Sequence, residues 1–387
     1  MTLPTALNRF SRRKKEGGNS RGETFSHEKV SPVHSYNIMI EIDGSTHSGS
    51  GTILRYSMAL ATLMRKPLHI IRIRAKRPKP GLRPQHLSAA NACALVSGGS
   101  LEGAEVGSQE IVYRPGDTLK GGQFHFDIGT AGSATMLGFT LLPVALFAEK
   151  SSQFIITGGL FQDFAPSFFH MREILLPLIR EMGADVKLEM IRPGYVPRGG
   201  GSLKLEVSPV AKPLEPLQRT EQGKVSVVRG IALASHLSEQ NVGRRMAHQC
   251  LERLKQRGLA AEMRILEDST AVQKGAALLV WAETDTGCLI AADQAGAPGR
   301  RSEAIGDFVA KTLLEDLDSG ATTDRHLADQ LILFAALARG TTEYTVPSVT
   351  EHVEANLWLA QKVLGVRTHL QGRRVRVKGI GFRSAGG

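Results

Sequence analysis

A threefold recurrence, interrupted once, constrains this chain more than any other feature of its sequence. Each copy opens with a helix of about four turns, continues through a β-rich segment and a loop, and closes on a second helix that stops at glycine before a short strand. In the first copy the helix covers about 52–64, the strand 68–74 and the second helix about 85–96, ending at Gly98 and Gly99. In the second copy the helix covers about 134–147, the strand 153–157 and the second helix about 167–181, ending at Gly183. In the third copy the helix covers about 326–338, the strand 343–346 and the second helix about 350–363, ending at Gly365. Glycine just beyond the last helical residue is the expected left-handed stop.

The spacing locates the interruption. Gly99 and Gly183 lie 84 positions apart, whereas Gly183 and Gly365 lie 182 apart. The third copy therefore carries roughly 100 additional residues, all before His326. Pro213 and Pro216, following Pro209, mark the entry, and the polar stretch 316–323 with Gly320 marks the exit. The insert has strand patterns at 224–232, 276–283 and 288–292 and helical patterns at about 240–257 and 302–317. The sequence thus predicts an α/β (α+β) protein: three repeated helix–sheet units forming a large domain over 37–212 and 317–387, with a smaller inserted α/β domain over 213–316. Residues 1–36, polar and basic, read as a disordered extension.

Charge and cysteine usage narrow the function classes. The 387 residues carry a formal net charge of +11 and a pI of about 9.7, which favours polyanionic partners such as RNA, DNA or nucleotides. Three cysteines with no CxxC pair, Cys93, Cys250 and Cys288, fit a reducing cytoplasm better than a disulfide framework. No apolar run is long enough for a membrane span. The longest, 136–147, reads as a buried helix, and residues 1–36 lack the apolar segment of a secretory signal.

Five segments carry side chains suited to chemistry. Residues 43–51 (DGSTHSGSG) end a strand and open a helix, so backbone N–H groups and the helix terminus favour an anion there, with Arg55 one turn on. Residues 72–86 (RIRAKRPKPGLRPQH) hold six cations within twelve positions; if extended, Arg72, Arg74 and Lys76 share one face. That reading suits phosphate or an RNA backbone, and a solvated basic edge strand suits the pattern equally. Residues 192–201 (RPGYVPRGGG) give a turn at which backbone approaches another segment closely. His326, Leu327, Ala328, Asp329 and Gln330 open a helix, where Asp329 serves the helix dipole or binds a ribose hydroxyl or a metal. His352 opens the last helix, where the neutral imidazole is favoured, as a nitrogen nucleophile requires.

Taken in order, residues 73–86, 130–133 (TAGS), 197–201 (PRGGG) and 326–330 (HLADQ) resemble the RNA 3'-terminal phosphate cyclase family, from about Asn37 to the C-terminus. The resemblance implies ATP-dependent conversion of an RNA 3'-phosphate to a 2',3'-cyclic phosphate through a histidine–AMP intermediate, with a divalent metal, Mg or Mn. It implies His352 as the nucleophile. It implies His326 through Gln330, Pro166 and Arg55 as ATP contacts. Arg74, Arg77, Lys79, Gln85 and His86 take the role of phosphate or RNA contacts.

The chain departs from the family pattern at four places. Ser48 and Thr52 stand where the family has a glutamate and a glutamine, so the metal ligand is unassigned, with His47 as a substitute beside it. Phe139 replaces an ATP-contacting glutamine, and Phe169, beside His170, replaces an acidic residue. The alternative these changes support is a non-catalytic cyclase-like scaffold in ribosomal RNA processing. A repeat-built enolpyruvyl transferase is a second rival, disfavoured by the insert and by residues 326–330.

Overall fold

A computed structural model describes residues 39–384; the extension expected over 1–36 lies outside them. The first unit contains β1 (Ile40–Asp43), α1 (Gly51–Met64), β2 (Leu68–Ile71), α2 (Pro84–Ser97), β3 (Ser100–Glu102) and β4 (Ile111–Arg114). β1 and β2 run parallel, as a crossover through α1 demands, and β4 lies antiparallel between β2 and β3. The second unit repeats the plan with β5 (Gly122–Asp127), α3 (Ala134–Leu146) and β6 (Ser152–Gly158). Its second helix joins α4 (Phe168–His170) to α5 (Leu176–Glu181) through a π-helical turn at Met171–Leu175, before β7 (Asp185–Arg192) and β8 (Gly201–Ser208). Its order, β5-β6-β8-β7, matches the first.

The third unit starts with β9 (Gln218–Arg219) and is then interrupted. The insert comprises β10 (Val225–Ser235), α6 (Val242–Gln256), β11 (Ala261–Asp268), β12 (Gly275–Thr284), β13 (Leu289–Ala295) and α7 (Ser302–Asp318). The unit resumes with α8 (Leu327–Leu337), β14 (Arg339–Thr345), α9 (Glu351–Leu364), β15 (Arg367–Gln371) and β16 (Arg374–Ile380), in the order β9-β14-β16-β15.

Each unit therefore begins with a parallel strand rather than with its first helix. In the third, that strand is only two residues long, and the sequence gives it no alternating pattern to be read from. Gln218 and Arg219 still pair with Glu343 and Tyr344, so the chain is part of the third sheet beyond residue 213. The insert thus replaces the first strand-to-helix connection of that unit.

The insert's sheet, β11-β10-β12-β13, is covered on both sides. Side chains alternate across a strand. Val228, Leu278, Val280 and Ile290 meet α6 and α7 in a separate core. Ile231, Leu233, Leu279 and Ala291 join the main core. In that main core α1 packs on α2, α3 and α9, and α3 is buried along nearly its whole length, as the apolar run 136–147 predicts. Gly98 and Gly365 stop α2 and α9 with φ of 65° and 68°, where L residues are strained.

One expected strand is shorter than its pattern suggested. β2 ends at Ile71, and the chain turns through 72–77, with Arg72 and Arg74 in left-handed backbone at φ 52° and 53°. Arg72, Arg74 and Lys76 therefore share no strand face. Buried Ile73 pins the turn through its N–H to Gln109 O, and Arg74 donates to the carbonyls of Lys79 and Gly81, both at 2.8 Å. A guanidinium satisfied by its own loop stabilises a compact turn over an extended edge.

Candidate active site

The N-terminal ends of α1, α2, α3, α8 and α9 open onto one cleft of about 500 Å³. Unpaired N–H groups and helix dipoles favour negative charge at such ends. The cleft brings together Arg55, Arg74, Arg77, Gln85, Pro166, His326, Asp329, Gln330 and His352 from segments up to three hundred positions apart. Residues 130–133 and 197–201 support it from behind. A Cβ on Gly199 would meet the backbone of Thr130 and Ala131 at 2.8 Å, so the glycine run is a corner that lets two loops touch.

Four residues expected at the site do not line it. Leu327 and Ala328 are buried in the core. On α8 they fall on the face away from His326, while Asp329 and Gln330, three and four positions on, share its face. Lys79 is exposed, with only its carbonyl used, by Arg74. His86 is buried behind Gly51, where a Cβ would sit 2.0 Å from the His86 Nε2. Its Nδ1 accepts the N–H of Arg83 at 3.3 Å. Burial, with Arg55, Arg74 and Arg83 nearby, holds His86 neutral far below its ordinary pKa.

The cationic wall is built around Arg55. Its side chain is buried, and burial lowers its pKa to about 10. One Nη lies 3.4 Å from Thr52 Oγ1, and its Nε has no partner among the described residues. Asp329 acts on Arg55 through space, but among the described residues no carboxylate is in ion-pair contact with it, and a buried guanidinium so placed is expensive unless an anion completes it. Arg77, exposed at the mouth, and Arg74 extend the same wall.

His352 faces this wall from the first turn of α9, where Thr350 Oγ1 caps the helix by accepting the N–H of Val353 at 3.3 Å. Burial first, then Arg77 and Arg55, lower the His352 pKa. The ring is therefore neutral at pH 7. Asp329 accepts from Asn356 Nδ2 at 3.0 Å. Burial raises its pKa to about 7. A carboxyl at that balance point donates or accepts a hydrogen bond near neutrality, so Asp329 is more than a helix-dipole partner.

Sequence reasoning missed the residue that organises the α8 terminus. Asp324 is fully buried and accepts four bonds: from the N–H groups of His326 (2.8 Å), Leu327 (2.7 Å) and Ala291 (3.2 Å), and from His170 Nε2 at 3.1 Å. It ties α8 to the insert and to α4, and so fixes where His326 stands. Burial opposes charge on both side chains. Their mutual attraction outweighs it, raising the His170 pKa and lowering that of Asp324. An aspartate just before an apolar helix is a capping signal that would have found it. Nothing in the pattern announces His170, which lies 154 positions away.

The positions that depart from the family pattern are accounted for locally. Ser48 Oγ lies 3.0 Å from Ser50 Oγ. Thr52 lines the cleft beside Arg55. Phe139 packs between Tyr56 and Phe334, and Phe169 against Phe161, all in the core. His47 faces Glu354 and Trp358 and not the cleft, so it does not stand in for the absent glutamate. Among the described residues no three His, Cys, Asp or Glu side chains converge on a point. The cleft therefore fits a polyphosphate but offers no protein-only cage for a metal ion.

The family model described as RNA 3'-terminal phosphate cyclase matches residues 46–370. A protein of that name from Archaeoglobus fulgidus is 38% identical over 340 residues, covering 88% of this chain and 100% of its own length. Its namesake from Pyrobaculum neutrophilum is 35% identical, covering 89% and 99%. The Pyrococcus furiosus protein is 38% identical, covering 84% and 94%.

Proposed function

The chain belongs to the RNA 3'-terminal phosphate cyclase family, and from that membership and the geometry of its cleft we propose that it converts an RNA 3'-terminal phosphate to a 2',3'-cyclic phosphate, using ATP and a covalent histidine–AMP intermediate. The observation that carries the reading is the opposition of a neutral His352 to Arg55, Arg74 and Arg77 across one cleft.

The first step is attack of an imidazole nitrogen of His352 on the α-phosphorus of ATP. An N–P bond forms, the bond to the β-phosphate bridge breaks, and pyrophosphate leaves. Arginines of the cleft offset the charge of the phosphates and hold the α-phosphorus in line. In the second step an oxygen of the RNA 3'-phosphate attacks the same phosphorus and frees His352, leaving an anhydride. In the third, the adjacent 2'-hydroxyl attacks the 3'-phosphorus and expels AMP, and the hydroxyl proton leaves with the departing AMP phosphate or to water. Ring closure is effectively unimolecular because both groups sit on one ribose. Asp329, titrating near neutrality, is suited to hold a ribose hydroxyl. A divalent ion would enter held by the nucleotide's phosphates, and no step is assigned to it.

The partner is RNA bearing a 3'-phosphate, and the expected compartment is the cytoplasm. Cys93, Cys250 and Cys288 are free and buried. Among the described residues no helix is long and apolar enough to cross a membrane.

The test is incubation with ATP labelled at the α-phosphate together with Mg or Mn. The expected result is acid-labile, alkali-stable labelling that disappears in His352→Ala. Absence of labelling with every divalent ion tried would leave the cyclase-like scaffold as the surviving reading.

A further inference from the structure

The three repeated sheets offer an internal comparison. Each packs helices on one face and turns the other outward, and side chains alternate between the two. On the outward face of the first sheet Glu41, Asp43 and Glu102 stand against Arg114, which is paired with Glu102. On that of the second, Asp127, Asp185, Glu189 and Glu206 stand against Lys187, Arg192 and Lys204, with Lys204 held by Glu189 at 2.8 Å.

The third sheet reverses this balance. Its outward face carries Arg374, Arg376 and Lys378 from β16 and Arg367 and His369 from β15, all exposed. Val375 and Val377, between them, are buried in the core. Glu343 on β14 meets Arg376 at 2.7 Å and Arg374 at 3.4 Å. Among the described residues Arg367 and Lys378 have no carboxylate partner, yet register sets them directly opposite each other. Like charges so placed cost stability, and the first two sheets show that the plan does not require them. On an edge strand such as β15, charge guards against pairing with another chain. β16 lies inside the sheet, between β14 and β15, so that reason does not extend to its three cations.

The ladder begins at the end of the sheet from which the chain enters α9. Thr345, the last residue of β14, is in register with Arg374, and residues 346–350 connect it to the first turn of α9, where His352 stands. From there Arg376 and Lys378 follow at steps of about 7 Å, two strand residues each. The face carries no Phe, Tyr or Trp, and Ile380 is its one exposed large apolar side chain among the described residues. A lipid surface calls for apolar side chains that insert, and base reading on a sheet calls for rings to stack on. Evenly spaced cations alone suit a phosphate backbone.

We infer that the outward face of β15 and β16 binds the ribose–phosphate backbone of an RNA strand upstream of the 3' end held in the cleft. The inference rests on the proposed RNA substrate. It extends recognition from a terminal group to a length of strand, held without regard to base sequence.

The experiment uses the full-length protein and two double variants, Arg367→Ala with Lys378→Ala and Arg367→Glu with Lys378→Glu. Both side chains are exposed, so fold and AMP uptake should be retained. Fluorescence anisotropy measures binding of a 3'-phosphorylated dinucleotide and of 3'-phosphorylated and 3'-hydroxyl oligoribonucleotides of about twenty residues. Charge reversal should raise the Kd of the long strands about tenfold, with the dinucleotide changed by less than about twofold. The alanine pair should lower the salt slope of long-strand binding by about 1.4, the share of two phosphate contacts. A long-strand Kd and salt slope equal to wild type in both variants, or an equal loss for the dinucleotide, overturns the inference. So does binding to anionic lipid vesicles that the alanine pair abolishes while RNA binding persists. The 3'-hydroxyl strand separates this test from the reaction. If that strand loses affinity in the variants but wild type never cyclises a 3'-phosphorylated one, the backbone track stands and the proposed reaction falls. If wild type cyclises the long strand and both variants do so with unchanged KM, the reaction stands and the track falls.

Discussion

Asp324→Ala is the substitution for which the structure gives the firmest magnitude. It removes one member of a fully buried ion pair and the acceptor for three backbone N–H groups. Breaking a buried pair by deleting one partner costs about 3–5 kcal/mol, because the other charge is left uncompensated. Unfolding entropy of about 2.1 cal/mol/K per residue over about 350 folded residues amounts to about 0.7 kcal/mol/K. The expected fall in melting temperature is therefore about 4–7 °C. Calorimetry of Asp324→Ala, His170→Ala and the double variant provides a cycle. His170→Ala should cost less, since Asp324 keeps its three backbone donors, and the double variant should lose at least about 1 kcal/mol less than the sum. The pH dependence has a defined sign. His170 has a raised pKa, so its contribution is complete below its unfolded value of about 6.5 and fades as pH rises through the folded value. Asp324 has a lowered one, so its contribution is present above about 3.9 and lost as pH falls through the folded value. The deficit of Asp324→Ala should be widest between about pH 4 and 6.5. Additive single losses, or a melting point within about 1 °C of wild type, would show that the pair does not organise the α8 terminus.

Two further outcomes are expected. The rate of AMP uptake should lose its acid limb below the ordinary histidine value of about 6.5, because burial and the facing Arg77 and Arg55 disfavour the His352 cation. Arg77→Ala should move that midpoint upward, and a wild-type midpoint at or above 6.5 in a pH–rate series would contradict the assignment. Gly51 opens α1, so Gly51→Ala gains less than the about 1 kcal/mol of a helix interior, while its Cβ lands 2.0 Å from His86 Nε2 and 3.1 Å from Arg55 Nη1. Overpacking of about 1–3 kcal/mol should prevail, with AMP uptake lowered at least about tenfold by displacement of Arg55. Thermal melts should show Gly51→Ala/His86→Ala recovering stability relative to Gly51→Ala.

What could be read from the sequence was whatever repeats or periodicity encodes. The helices with glycine stops at Gly98 and Gly365 and the apolar stretch of α3 needed only local pattern. The interruption followed from the unequal glycine spacing. The cleft residues on α8 were legible as a segment but not as a face, which is why Leu327 and Ala328 were grouped with Asp329. The turn after β2 defeated the strand pattern because Arg74 bonds carbonyls five and seven positions ahead, a tertiary preference that alternation does not carry. β9 was too short to announce itself, and His170 became visible only when folding set it beside Asp324.

The chain leaves the third unit and returns to it at one spot. Arg219 pairs with Tyr344, and the N–H of Thr322 donates to the neighbouring Thr345 O at 2.9 Å. Splicing those stumps with a brief linker would therefore leave the backbone path of everything else unaltered, at little closure entropy. The surgery would nonetheless uncover a greasy surface. Removing Ile231, Leu233 and Leu279 would strip that cover from the rest of the main core, and Asp324 would lose the donor from Ala291. Topologically the module is detachable; chemically it is a cork in the bottle it was added to.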